Sequence, residues 1–218
     1  MRNAGLLGCI GVILVVLIIG GIWFVGMRNT IVGLDEQVNQ QWAQVESQYQ
    51  RRYDLIPNLV RTVQGAANFE KSTLEAVVNA RARVGQVQLP AGAGGGPPVA
   101  GGITDNEQAM QQYAAAQTQL GSAISRLLVV SEAYPTLRSN ENFLNLQSQL
   151  EGTENRIAVE RQNYNEAAQR FNTAVRRFPA SLVAGSFKQK AYFRGTPGSQ
   201  NAPEVNFDNF GNTTTTAR

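Results

Sequence analysis

Residues 31–67 read IVGLDEQVNQQWAQVESQYQRRYDLIPNLVRTVQGAA. Apolar or aromatic side chains recur at Ile31, Leu34, Val38, Trp42, Val45, Tyr49, Tyr53, Ile56, Leu59 or Val60, Val63 and Ala67. Steps of three and four put them on one stripe of a long helix. Such a stripe must be buried against other elements, and with three further amphipathic helices in the chain the fold class is read as all-α. Pro57 stands inside the pattern. A proline there loses a backbone hydrogen bond at a cost of about 3 kcal/mol, which predicts a kink near Asp54–Pro57.

Toward the N-terminus the pattern becomes continuous apolarity. No charged residue lies between Arg2 and Arg28, and Leu6–Val25 is almost wholly apolar. Twenty helical residues rise about 30 Å, the thickness of a bilayer's hydrocarbon core. A cleaved secretory signal has a shorter apolar core and a small-residue cleavage site, whereas Ile22-Trp23-Phe24-Val25 follows here. Leu6-Leu7-Gly8-Cys9 resembles a lipoprotein box, but most of the apolar run comes after its cysteine. An uncleaved signal anchor fits best. Trp23 and Phe24 fall where amphipathic rings favour the membrane–water interface. Gly5, Gly8 and Gly11 do not form the GxxxG dimerisation pattern. The positive-inside rule, by a margin of one charge, leans toward an N-terminus in the cytoplasm and the remainder outside the inner membrane. Gly26 and Gly33 weaken the junction without ending the helix.

Toward the C-terminus three further helices follow. The expected segments are a tail at 1–5, a transmembrane helix at 6–27, and a bundle at 28–180. The bundle's helices fall at about 28–67, 69–87, 104–133 and 139–178. Residues 88–103 hold Pro90, Pro97, Pro98 and many glycines, and are expected to form a flexible linker. Thr104 followed by Glu107 fits a capping box, Tyr134-Pro135 stops the third helix, and Ser139 is the next cap candidate. The fourth stripe is Phe143, Leu146, Leu150, Thr153, Ile157, Arg161, Tyr164, Ala168, Phe171, Val175 and Phe178, with Pro179 ending it. Residues 181–218 are expected to be an irregular tail, with a short docked segment near Tyr192-Phe193. The predicted architecture is one transmembrane helix continuous with an elongated antiparallel four-helix bundle. Because the first and fourth helices outrun the other two, an exposed stripe should remain at one end and invite self-association.

Composition removes several chemistries. The 218 residues carry a net charge of +3 and no histidine, and the one cysteine, Cys9, lies in the apolar run. The commonest general base and metal ligand is therefore missing, and no disulfide can form within one chain. Arginines are scattered rather than clustered, which argues against nucleic acid as a partner. The linker glycines lack the strand before and the Lys-Ser/Thr after that a phosphate loop needs. Di-metal bundles use Glu-x-x-His pairs, so Asp54, Glu132 and Glu154 are a poor metal set. No catalytic, cofactor or metal residue is assigned. Arg51, Asp54 and Asn58 form a polar seam, and Glu154 and Arg161 fall close to the fourth stripe. Charges inside a bundle must be paired, so Arg51, Arg52 or Asp54 is expected to meet Glu154 or Arg156. A register-fixing role is favoured over a ligand site.

Several longer strings carry a resemblance. Gln41-Trp42-Ala43-Gln44-Val45 and Gln50-Arg51-Arg52-Tyr53-Asp54-Leu55-Ile56-Pro57-Asn58-Leu59-Val60 come first. Glu132-Ala133-Tyr134-Pro135, residues 143–150 and 153–158, Arg161-Gln162-Asn163-Tyr164-Asn165 and Arg177-Phe178-Pro179 follow in order. Together they resemble the LemA family across roughly residues 28–193. The resemblance implies a bacterial, membrane-anchored helical bundle and supplies no reaction. The expected function is a non-enzymatic scaffold that contacts membrane lipid, forms homo-oligomers and organises or remodels the membrane. The alternative is an adaptor whose partner is a membrane protease or sensor.

Overall fold

A computed structural model describes residues 2–65, 69–86 and 100–195. The described residues are helical without strands. The elements are α1 Arg2–Gln64, α2 Lys71–Gln86, α3 Ala100–Ile103, α4 Glu107–Ser131, α5 Pro135–Arg138 and α6 Glu141–Arg176, followed by a 3-10 turn at Ala180–Leu182. One helix of 63 residues thus carries both the apolar run and the first stripe, passing Gly26, Gly33 and Pro57 without ending. At 1.5 Å per residue it is roughly 95 Å long. From Val12 to Val25 every large apolar side chain is at least 44% exposed. The helix that carries this stretch is long and apolar enough to cross a membrane.

From Ile31 onward the buried face of α1 follows positions 31, 35, 38, 42, 45, 49, 52, 56, 59 and 63. The steps alternate between four and three, a 3.5-residue period that keeps one seam against neighbouring helices. Two seam positions are polar: Asp35, half-buried, and Arg52, buried. The expected stripe had Tyr53 in place of Arg52. Tyr53 instead leans to the side of α2, where the Arg81 guanidinium lies 3.8 Å from its ring centre. Helix α6 packs along α1 in the opposite direction, as Arg52 meets Glu154 and Trp42 meets Tyr164. Helix α2 packs chiefly along α4.

Two cores result. A distal core joins Ile56, Leu59, Val63, Val77, Leu120, Leu127, Leu137 and Leu150, and is almost wholly aliphatic. The proximal core adjoins the apolar N-terminal segment. It joins Ile31, Val38, Trp42, Tyr49, Tyr113, Tyr164 and Phe171 to Val183, Ala191 and Phe193.

Several sequence expectations change. The cap of α4 is Asn106, not Thr104: its side chain accepts from the Gln108 and Ala109 amides, while Thr104 is buried. The cap of α6 is Asn140, not Ser139, accepting from Asn142 and Phe143. In both cases an amide oxygen reaches two free amides of the first turn. The expected linker 88–103 lies outside the described residues as far as 99. Its end is not a linker, since Ala100–Ile103 is helical and Ile103 is fully buried. Phe178, expected on the fourth stripe, is 81% exposed because the chain leaves the helix at Arg177. The exposed stripe expected at one end is covered. Residues 180–193 lie over it and bury Ala180, Val183, Ala184, Ala191 and Phe193.

Candidate functional site

Polar chemistry inside the domain gathers at the two polar seam positions. Arg52 is the first. Its Nη1 donates to Glu154 Oε1 at 2.6 Å, and its Nη2 donates to the Gln117 carbonyl at 3.1 Å and also to the Gln117 side-chain oxygen. The guanidinium lies 5.2 Å from the centre of the Tyr49 ring. One buried cation therefore ties α1, α4 and α6 together. Of the residues expected to meet, only Arg52 and Glu154 do. Arg51, Asp54 and Arg156 are exposed, and Asp54 accepts from Gln50 on its own helix. Arg161, the other stripe arginine, covers the Phe193 ring at 4.6 Å.

Lys190 is the second node, and nothing in the sequence pattern pointed to it. Its side chain is 6% exposed. Nζ lies 2.7 Å from Asp35 Oδ1 and 2.8 Å from Asp105 Oδ1, and 5.3 Å from the Phe171 ring centre. Burial pulls this ammonium toward neutrality, but Asp105 and Asp35 outweigh it and hold the group above the usual lysine range. The net effect is a charged lysine that staples the C-terminal segment to α1 and to the start of α4.

The segment around Lys190 is extended, so its backbone groups cannot satisfy one another. Side chains of α6 do so instead. Asn172 Nδ2 donates to the Lys190 carbonyl at 2.8 Å, and Asn172 Oδ1 accepts from the Lys190 amide at 2.7 Å. Asn165 repeats the arrangement on Phe193, with both bonds at 2.9 Å. Between them the Tyr164 hydroxyl donates to the Ala191 carbonyl at 2.9 Å, and the Ala191 amide donates to the Thr104 carbonyl at 2.7 Å. Asn165 and Asn172 sit two turns apart on one face of α6, which matches an extended chain laid along the helix. Phe193 then stacks on Trp42, with ring centres 5.9 Å apart and planes at 16°. Asn165 was legible only as part of a motif. Asn172, Asp35, Asp105 and Lys190 had no signal beyond being polar residues at or beside apolar positions.

What this arrangement can do chemically is limited. An open groove beside the first node is lined by Tyr49, Arg52, Gln117, Ser122, Glu154 and Arg161. Both Nη groups of Arg52 are committed. Burial pushes the phenols of Tyr49, Tyr113 and Tyr164 up, so they stay protonated and are not bases at neutral pH. Burial likewise raises the Glu46 carboxyl. Among the described residues no group of three or more His, Cys, Asp or Glu side chains could hold a metal ion. The geometry is that of a buried staple and strap.

The fold defines an all-helical protein whose first helix begins as a candidate membrane span. Residues 41–207 match the LemA family. The chain belongs to the LemA family. It is similar to magnetosome protein MamQ 2 of Paramagnetospirillum magneticum, 29% identical over 186 residues, covering 78% of this chain and 65% of the relative. It is also similar to magnetosome protein MamQ of Magnetospirillum gryphiswaldense, 28% identical over 186 residues with the same coverage. The match thus spans 65% of the length of these relatives.

Proposed function

We propose that the protein is a non-enzymatic scaffold anchored in the bacterial inner membrane, with its domain on the periplasmic side, that self-associates and organises the membrane around it. The observation that carries this reading is the unbroken helix α1, Arg2–Gln64. It makes anchor and domain one mechanical body, so lateral contacts between domains are transmitted to the span. We read the domain as an antiparallel four-helix bundle of α1, α2, α4 and α6, with the C-terminal strap as a fifth layer. Magnetosome proteins among its relatives favour a task at a membrane. Self-association no longer rests on an exposed end stripe, since the strap covers it. Val78 and Leu144 remain exposed on elements of the distal half and are available for side-by-side contact.

The test is the size of the full chain in mild detergent and in lipid nanodiscs, by light scattering and by crosslinking in membranes. Concentration-dependent oligomers crosslinked through α2, α4 or α6 are expected. A monomer in both settings overturns the scaffold. A stoichiometric foreign partner in place of self-contacts favours the adaptor.

A further inference from the structure

The turn after α6 exposes two large apolar side chains, Phe178 at 81% and Leu182 at 72%. They are the most exposed of the large apolar side chains described anywhere in the chain. Their place in the fold is specific. Met27 and Ile31 of α1 share a groove with Ala174, Phe178, Pro179 and Ala180. The Arg28 guanidinium lies 5.9 Å from the Phe187 ring centre. The turn therefore stands beside α1 within about one helical turn of Trp23, Phe24 and Val25, where the apolar run ends.

The chain segment that forms this turn and the strap after it carries charge of one sign. From Ala167 to Gly195 the chain carries Arg170, Arg176, Arg177, Lys188, Lys190 and Arg194, and no Asp or Glu. Arg170, Lys190 and Arg194 are paired with Glu166, with Asp35 and Asp105, and with Glu107. Arg28, Arg176, Arg177 and Lys188 are exposed and make no ion pair among the described residues.

We propose that the turn Arg177–Leu182 is a second membrane contact: Phe178 and Leu182 enter the interfacial layer of the bilayer crossed by α1, and Arg28, Arg177 and Lys188 bind anionic lipid headgroups around them. The proposal rests on the membrane-anchor reading of α1. Apolar side chains flanked by basic ones at headgroup level form the usual chemistry of interfacial anchoring. A second copy of this chain is a poorer occupant, because a two-fold contact would bring the same unpaired cations together. With two contacts rather than one, the tilt of the whole body against the lipid surface is constrained.

The full chain is tested in vesicles of phosphatidylethanolamine and phosphatidylglycerol. Single cysteines are introduced by Leu182→Cys, Leu14→Cys or Val129→Cys in a Cys9→Ser background and labelled with an environment-sensitive fluorophore. At position 182 the proposal expects blue-shifted emission, quenching by lipids spin-labelled near the headgroup, and weak quenching by aqueous iodide. Position 129 should respond to iodide and position 14 to deeply spin-labelled lipid. Iodide access at 182 equal to that at 129, with 14 still in lipid, overturns the second contact and leaves the anchor standing. Iodide access at 14 overturns the anchor and this proposal together. Shielding of 182 from both quenchers shows a protein cover and overturns it as well. Exchanging Arg28, Arg177 and Lys188 for Gln should weaken the lipid quenching at 182 about twofold in anionic vesicles and not in phosphatidylcholine. An equal response in both vesicle types overturns the headgroup role.

Discussion

The two cores of the domain are closed by different means. In the distal core helices cover helices, and Ile56, Leu59 and Val63 of α1 meet aliphatic side chains of α2, α4 and α6. Helix α2 meets α1 at Tyr53, against Arg81 and Gly85, and contributes no residue to the proximal core. Below that level the face of α1 from Ile31 to Tyr49 has no α2 to cover it. The extended segment 188–193 takes that place, together with the turn before it. A helix satisfies its own backbone and needs only an apolar face. An extended segment brings unpaired amides and carbonyls into a dry interior, where each costs a few kcal/mol unless bonded. Asn165, Asn172 and Tyr164 supply those bonds. Aromatic rings supply the bulk, since the segment turns only some of its side chains inward.

The largest way to break this difference is at Trp42. It is fully buried and in ring contact with Tyr113, Tyr164 and Phe193. Trp42→Ala should destabilise the protein by about 4 kcal/mol, the usual cost of removing a large buried aromatic side chain. Leu127→Ala in the distal core should cost about 3 kcal/mol. Thermal unfolding in detergent measures both, and hydrogen exchange separates them. In Trp42→Ala the amides of Lys190, Ala191 and Phe193 should lose protection first, while α2 and α4 keep theirs. Uniform loss would mean that the two cores unfold as one unit.

Charge gives the next effect. Lys190→Met leaves Asp35 and Asp105 facing each other half-buried, and should cost about 3 kcal/mol. The pH dependence has a definite sign. The folded-state pKa of Lys190 is raised above the ordinary 10.5, so its contribution is complete below that pH and is lost as pH rises through the folded value. Tyr113 and Tyr164 act in the same direction. Their phenols ionise more readily in the unfolded chain than in the fold, so stability falls above the ordinary tyrosine value of 10.0. All three groups lie in the strapped half, and alkaline loss should begin there. Trp42 fluorescence should change at a lower pH than the helical circular dichroism. Lys190→Met should be less stable at pH 7 and lose less between pH 7 and 11. An equal loss in both proteins would rule out the staple.

The legibility of the two halves differs for the same physical reason. Helix on helix is written as periodicity, and the stripes of α1 and α6 were readable over most of their length. Periodicity also placed Arg52 and Glu154 near enough to be expected partners. It misassigned Tyr53, because a 3.6-residue stripe drifts from the 3.5-residue seam that the helix adopts. The strap has no period. Phe187, Tyr192 and Phe193 stand among polar residues, and their docking depends on asparagines that read as ordinary surface of α6. The two caps were each missed by one or two residues, since Thr104 and Asn106, or Ser139 and Asn140, are equally good cap chemistry. Only the backbone geometry distinguishes them.

The strap itself can be loosened by steps. Asn172 is 2% exposed and bonds both backbone groups of Lys190. Asn172→Ala strands a buried amide and carbonyl and should cost about 2 kcal/mol. Asn165→Ala, nearer solvent, should cost about 1 kcal/mol. Both should raise exchange at 190–193 and leave the distal half unchanged. At the Arg52 node the asymmetry is larger. Arg52→Met removes a buried cation that ties its own helix to two others, whereas Glu154→Gln keeps an acceptor on a side chain that is 44% exposed. Solvent screening limits the latter to about 1 kcal/mol or less. If Glu154→Gln leaves stability and assembly untouched, the pair does not fix the register of α1 against α6, and the fixed duty of Arg52 is its tie to Gln117 of α4.

The smallest effect bears on the junction between the apolar run and the proximal core. Gly33 lies in mid-helix, and a Cβ there would meet nothing within 4 Å. Alanine adds no clash and removes backbone freedom from the unfolded chain, so Gly33→Ala should stabilise the helix by about 0.5–1 kcal/mol. A doubled change, Gly26→Ala with Gly33→Ala, stiffens both weak points between span and domain. If α1 already acts as one rigid body, Tm should rise by about 2–8 °C and the tilt of the domain, read by spin-label distances between residue 129 and the bilayer surface, should not move. A tilt that narrows or shifts would show that the glycines serve as a hinge. The domain, with both of its cores, would then swing as one body about its junction with the apolar run.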